Sequence, residues 1–354
     1  MADRQLLETA VQHCWPGATL GAAHPLPADA STRRYVRLEL WGGASTPRSC
    51  MAMLLPPGEA GRVCEEIAGA PASAELPFVN VQRFLRERGV PVPEIWFVDE
   101  NAGVLLEEDL GAVPLADALL DAPETRPNRL GEAADLLAGF ASLAAAPDPA
   151  CFAFHDRYDS SLIMRELAVT SAYGLAPSFS GPPRLADADP ELERLLAGLG
   201  DRIAAQPVVL MHRDYHAWNL HLDPAGRLRL LDFQDALLGP ALYDLASLAS
   251  DRDSDRFIGP AEETALLDAW TSGLRRRGFD LAQPRHELER QFNEAIAYRT
   301  LRVIGRFGFL AIERGKSSYL DFVPRMARRS RRALEEAGHR ALAAALAARS
   351  PTFG

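Results

Sequence analysis

The residue types able to do chemistry concentrate in one short stretch of the chain. His212-Arg213-Asp214-Tyr215-His216-Ala217-Trp218-Asn219 sets an acid a few positions before an amide, and a second acid stands in Leu231-Asp232-Phe233. Phosphoryl transfer needs such a set, because its loose transition state is served by positioning and positive charge rather than by a covalent catalyst. Mg²⁺ supplies that charge and prefers hard oxygen ligands. Asn219 and Asp232 are then the expected metal ligands. Asp214 is the residue expected to orient an attacking hydroxyl and accept its proton.

Two other readings of the same residues stay open. In one, His212 and Asp214 form a hydrogen-bonded pair in the core, with Asn219 and Asp223 forming turns. In the other, His212, Asp214, His216 and His221 bind the metal of a hydrolase, with histidines four apart sharing a helix face. Against the second, Pro207 to Met211 reads as a buried strand leading into a loop. Leu220 to Leu222, the turn Asp223-Pro224-Ala225-Gly226 and Arg227 to Phe233 then form a hairpin that returns toward Asp232.

The elements that must position these residues divide in two. Residues 4–14 read as a short amphipathic helix. Strands are expected at Ala22 to Leu26, Tyr35 to Leu40, Ser49 to Leu55, Ile95 to Val98 and Gly103 to Glu107, with one helix at Phe78 to Arg88 stopped by Gly89 and Pro91. From Leu115 onward the pattern is helical, with helices at Ala133 to Ala145, Asp159 to Tyr173 and Glu191 to Ala205, a loop at Pro177 to Pro183, and helix throughout Glu262 to Arg349. The fold class is therefore α+β: a small β-rich lobe over residues 1–108 and a large helical lobe over 109–354.

Composition narrows the class of function. The chain has 354 residues, 47% hydrophobic, with a net charge of −10, which is ordinary globular composition and not that of a nucleic-acid binder. The basic run Arg325 to Arg332 is expected to be a solvated or carboxylate-paired helix face. No run of about 18 apolar residues occurs, so no membrane span is expected. Cys14, Cys50, Cys64 and Cys151 make no C-x-x-C pair, which suits reduced thiols in the cytoplasm. Of 38 basic residues one is a lysine, Lys316.

The spacing H-R-D-x-x-x-x-N followed by D-F matches a kinase catalytic loop. The chain resembles the aminoglycoside phosphotransferase/choline kinase superfamily in His212, Asp214 and Asn219, in Leu231-Asp232-Phe233, and in Gly239-Pro240-Ala241-Leu242-Tyr243-Asp244-Leu245-Ala246. Within it the similarity is to bacterial anomeric kinases of N-acetylmuramate and N-acetylglucosamine. It is carried by Asp29-Ala30-Ser31-Thr32-Arg33-Arg34-Tyr35, the stretch from His212 to His216, Asp232-Phe233-Gln234-Asp235-Ala236, and Arg314-Gly315-Lys316-Ser317-Ser318-Tyr319-Leu320.

The resemblance implies a protein-kinase-like fold, ATP and Mg²⁺ as cofactors, and a small-molecule sugar as substrate. It also implies bracing roles for His212 and Asp244. The run from Glu107 and Glu108 to Leu110 would offer backbone groups to the adenine. The superfamily's third-strand lysine is missing, since Cys50 to Leu55 has none and Met53 stands near its place. Arg33 or Arg34 is expected to substitute, with Ser31 and Thr32 donating to the phosphates in place of a Gly-rich loop. Tyr215, His216 and Asp235 are candidate sugar contacts. Arg299, Arg302 and Arg306 either meet an anionic carboxylate or form a paired helix face. Other alcohols as acceptors, and a nucleotide-binding pseudoenzyme, remain alternatives.

Overall fold

In the first unit buried apolar residues alternate along Arg34–Trp41, which picks out the sheet face that packs against a helix. The computed structural model describes residues 2–26, 33–43, 45–55, 75–175 and 189–354. They form two compact units, Met1–Val113 with His221–Asp235, and Pro114–Leu220 with Ala236–Gly354. The first division falls a few residues beyond the 108/109 boundary expected from sequence. The hairpin after the candidate loop belongs to the first unit, not to the helical one. Ser31, Thr32, Cys64 and the loop at 177–183 lie outside the described residues.

The first unit is built on an antiparallel sheet of β1 (Thr19–Pro25), β2 (Arg34–Trp41), β3 (Ser49–Leu54), β4 (Ile95–Asp99) and β5 (Val104–Glu108), in the order β1-β2-β3-β5-β4. Because side chains alternate across a strand, Val36, Leu38, Leu40, Cys50, Ala52, Leu54, Val104 and Leu106 share one face. There they pack against Leu7, Ala10 and Val11 of α1 (Ala2–Cys14). Helix α2 (Pro77–Glu87) starts with proline at its first position, where the missing N–H costs nothing. It buries Phe78, Val81, Phe84 and Leu85. The ring of Phe78 meets Phe233 at 4.9 Å. A two-residue strand, β6 (Val113–Pro114), follows β5.

The second unit is helical: α3 (Leu115–Asp121), α4 (Arg126–Ser142), α5 (Ser160–Val169), α6 (Pro190–Ala204), α7 (Tyr243–Ser250), α8 (Pro260–Arg276), α9 (Arg285–Arg314), α10 (Val323–Glu336) and α11 (Arg340–Arg349). Helix α5 begins on Asp159, whose side chain accepts the N–H of Leu162, and runs into a π-helical turn, Thr170–Gly174. The 30-residue α9 is buried over most of its length against α5, α6, α7 and α10, and ends on Gly315 at φ 66°. The basic run lies on α10, where Arg329 and Arg332 reach Glu263 at 3.0 and 2.5 Å, the carboxylate-paired arrangement expected from its composition. No helix among the described residues is long and apolar enough to cross a membrane.

Strand β7 (Val208–Met211) pairs antiparallel with β10 (Leu237–Pro240), a partner not apparent in the sequence. The hairpin is β8 (Leu220–Leu222) and β9 (Leu228–Leu230). The returning strand is shorter than the expected 227–233, so Asp232 stands beyond its end.

Candidate active site

Strand β7 is buried from Val209 to Met211, and the chain leaves it as a non-helical loop. Histidines 212 and 216 therefore share no helix face, which removes the geometry that the metal-hydrolase reading required. Asp244, in the first turn of α7 and 3% exposed, accepts the backbone N–H of His212 at 2.5 Å and of Arg213 at 2.9 Å. Burial pushes its carboxyl up to about 7, against the pull of those two amides. Arg213, wholly buried, takes a left-handed φ of 79°. Such conformations are uncommon outside glycine and persist where the surroundings hold them. His212 is buried against the rings of Phe140 and Tyr215, each at 5.8 Å.

The loop closes on itself. The N–H of His216 donates to the Asp214 carbonyl at 3.0 Å, and that of Asn219 to the His216 carbonyl at 2.9 Å. The Asn219 side-chain nitrogen also donates to the Asp214 carbonyl, at 2.9 Å. The amide is thereby oriented, with its oxygen as the end suited to a cation. Tyr215 is a correction to the expected sugar contacts: it is fully buried and its hydroxyl donates to the Ala133 carbonyl at 2.8 Å, so it packs the core. His216 stays partly exposed beside Asp214.

Asp214 sits in a strongly cationic setting. Burial pushes its carboxyl up, but the charges of Arg302, His216, Arg299 and Arg213 outweigh it and bring it down to about 2. Those arginines are themselves held. Arg302 pairs with Glu166 at 2.8 Å and donates to the Tyr243 hydroxyl at 3.0 Å, and Tyr298 donates to Glu166 at 2.7 Å. Arg299 pairs with Asp251 at 3.1 Å and donates to Ser247 at 3.1 Å. Arg306 lies over the Phe309 ring, 5.3 Å from its centroid. Of the two sequence readings of these arginines, the paired helix face describes Arg299 and Arg302. Glu166 and Asp251 were missed, because nothing in an isolated helical acid announces that a distant arginine will face it.

The remaining candidates lie in the first unit. Asp223 caps the hairpin turn by accepting the N–H of Ala225 and of Arg227, both at 2.9 Å. Arg229 ties β9 to Glu108 at 2.8 and 2.5 Å, and to the Val92 carbonyl at 3.0 Å. Asp232 follows at φ 60°, exposed. Gln234 donates to Asp232 at 2.8 Å and to Asp235 at 3.0 Å, so Asp235 is engaged in holding the Asp232 segment.

On the sheet, Glu107 pairs through its backbone with Met51 and Ile95, and its side chain is 4% exposed. The Glu108 N–H donates to the Glu94 carbonyl at 2.8 Å, and Leu110 is buried. Arg34 is also a correction. It is exposed on the α1 side of the sheet and pairs with Asp3 at 3.3 Å, whereas Arg33, one residue earlier, hydrogen-bonds to Tyr35.

Comparison with known proteins agrees with this chemistry. The profile of the phosphotransferase enzyme family, labelled APH, matches residues 60–285. An N-acetylmuramate/N-acetylglucosamine kinase of Caulobacter vibrioides is 31% identical, spanning 85% of this chain and 84% of its own. A protein of the same description from Pseudomonas aeruginosa is 31% identical over 92% and 88%. Among solved structures, the choline kinase of Cryptosporidium parvum superposes with a TM-score of 0.60 at 11% identity, over 97% of this chain and 99% of that one. The choline kinase LicA of Streptococcus pneumoniae gives 0.56 at 12%, over 96% and 100%. With its sheet-bearing first unit, its helical second unit and the Asp214 loop, the chain belongs to the phosphotransferase enzyme family and is a phosphotransferase acting on a hydroxyl group.

Proposed function

We propose that the chain transfers the γ-phosphate of ATP to the anomeric C1 hydroxyl of N-acetylmuramate and N-acetylglucosamine, as a step in recovering cell-wall sugars in the cytoplasm. The observation that carries the sugar is similarity over most of the chain to relatives bearing that description, from Caulobacter, Pseudomonas and Neisseria. The phosphotransfer chemistry is supported by the Asp214 loop.

Asp214 orients the acceptor hydroxyl and takes its proton. A carboxylate held at about 2 is a weak base, but an anomeric hydroxyl is more acidic than an ordinary alcohol because the ring oxygen withdraws charge. A loose transition state also asks little of a base. The side-chain oxygen of Asn219 and the carboxylate of Asp232 are hard donors of the kind Mg²⁺ takes. When bound, the ion neutralises charge on the transferring phosphate. With the Glu107 backbone and the Glu108 N–H engaged in the sheet, adenine contacts fall on the Asp109–Leu110 stretch. His216, beside Asp214, is the candidate left to touch the sugar.

The experiment is nucleotide consumption with Mg²⁺ and, in turn, N-acetylmuramate, N-acetylglucosamine, glucose, kanamycin and choline, with ³¹P NMR locating the new phosphate. Phosphate on C1 of the two acetylated sugars is expected. Turnover of choline or kanamycin alone would discard the sugar, and nucleotide binding without turnover of any acceptor would make the chain a pseudoenzyme.

A further inference from the structure

The arginine row of α9 has one member that the pairing described above does not absorb. Arg299, Arg302 and Arg306 stand three and four places apart, so they share one face of the helix. Asp244, at the start of α7, holds the backbone of the Asp214 loop. Helix α9 lays its arginine face on the same α7: Arg299 reaches Ser247 and Asp251, and Arg302 reaches Tyr243. As the numbers rise along α9 they fall along α7, so the row runs toward the end of α7 that carries the loop. Arg306 comes one turn later, about 6 Å along the axis from Arg302, and is exposed.

Arg299 and Arg302 are committed to Asp251 and Glu166, both largely buried, and withdrawing either would leave an acid unanswered. Arg306 has no carboxylate partner among the described residues. Its guanidinium rests over the Phe309 ring, an arrangement that holds the cation by its face and leaves its N–H edge to solvent or a ligand. The shelf under it comes from two elements. The Tyr173 ring meets Phe309 edge-on at 5.3 Å, and Tyr173 belongs to the π-helical turn after α5, a kind of turn that recurs at functional sites. That turn presses on Gly305, the residue before Arg306, closely enough that a Cβ there would meet the Thr170 Cα at 2.7 Å. Glu313, two turns further along α9, accepts from the Tyr173 hydroxyl at 3.2 Å instead.

We propose that Arg306 is a specificity-determining residue that meets a carboxylate on the acceptor sugar, the acidic substituent that N-acetylmuramate has and N-acetylglucosamine lacks. The proposal deepens the sugar reading above and rests on it. N-acetylmuramate carries its acid on a lactyl ether at C3, two ring carbons from the reacting C1 hydroxyl. With that hydroxyl at Asp214, the acid points away from the base and needs a cation set off from the loop rather than beside it. Arg306 is set off by a turn and unpaired, whereas Arg299 and Arg302 are engaged. A guanidinium takes a carboxylate through two parallel N–H···O bonds. N-acetylglucosamine offers only a hydroxyl at the same carbon.

The test is steady-state kinetics of the full chain with N-acetylmuramate and with N-acetylglucosamine, for the wild type, Arg306→Gln, Arg306→Lys and Arg306→Glu, with melting temperatures taken alongside. The quantity read is kcat/KM for N-acetylmuramate divided by kcat/KM for N-acetylglucosamine. Arg306→Gln is expected to lower this ratio about tenfold, through KM for N-acetylmuramate. Arg306→Glu should lower it further, and Arg306→Lys should keep most of it because the charge remains. In the wild type the ratio should fall as salt is raised, since the contact is exposed and screened, and Arg306→Gln should lose that salt dependence. An unchanged ratio in Arg306→Gln would overturn the assignment. So would equal losses on both sugars, which would show a merely structural arginine. If the wild type phosphorylates neither sugar, the acceptor reading itself fails and takes this assignment with it, a result distinct from an unchanged ratio.

Discussion

Asp214 and Asp244 are both acids of the second unit, yet their surroundings drive them in opposite directions. Asp214 is held at about 2 by cations, and Asp244 is raised to about 7 by burial. The first shift has a kinetic consequence. Arg302 supplies the largest charge holding Asp214 down, so Arg302→Gln should move the acid limb of the kcat/KM profile to higher pH, toward or past the ordinary value of 3.8. An acid limb that does not move would separate Arg302 from Asp214. Asp214→Asn should abolish turnover while nucleotide binding persists, since the amide keeps the shape but cannot take the proton. Turnover near the wild-type rate would remove Asp214 from its role. Asp244 acts through backbone amides instead. Asp244→Ala would leave the N–H groups of His212 and Arg213 buried without an acceptor, at a cost of about 3 kcal/mol, read as a lower denaturation midpoint.

Among the elements, the hairpin and the long helix depend on contacts that short-range pattern does not reveal. Arg229 docks β9 against Glu108, whose carboxyl burial pushes up but whose hydrogen bonds to Arg229 and to the Glu94 amide, with the charges of Arg229 and Arg86, bring below its ordinary 4.5. A folded pKa below the unfolded one means stability that is present above about 4.5 and lost as pH falls through the depressed value. Melting temperatures in an acid series should therefore fall less steeply in Arg229→Gln than in the wild type. Equal slopes would dismiss the pair as a contributor.

On α9, Gly305 is where the helix meets the π-turn after α5. A Cβ there would stand 2.7 Å from the Thr170 Cα and 2.8 Å from its nitrogen. Gly305→Ala should destabilise by about 1–3 kcal/mol, measurable in urea. The strands of the first unit, α2 and the loop after β7 were legible because β-rich apolar runs, a glycine–proline stop and a dense motif are local signals. Strand β10 was not, since Leu237–Pro240 is four residues ending in proline and becomes a strand only by pairing with β7. The same holds for site residues. Asp214 and Asn219 announce themselves by spacing, whereas the burial of Tyr215 and the turning of Arg34 toward Asp3 depend on the neighbouring helices α4 and α1.

Over the whole molecule, the cationic work falls to arginine. Guanidiniums surround Asp214, brace the hairpin and pair α10 with Glu263, while the one lysine, Lys316, lies exposed just past the end of α9. Arginine stays charged at any pH at which the protein folds and is a poor nucleophile, whereas a lysine amine is readily acylated. Nucleotide probes that mark kinases by passing an acyl group to an amine beside the phosphates would therefore find no lysine acceptor on this sheet. A reagent that acylates side-chain amines would therefore mark this protein at a single lysine, Lys316.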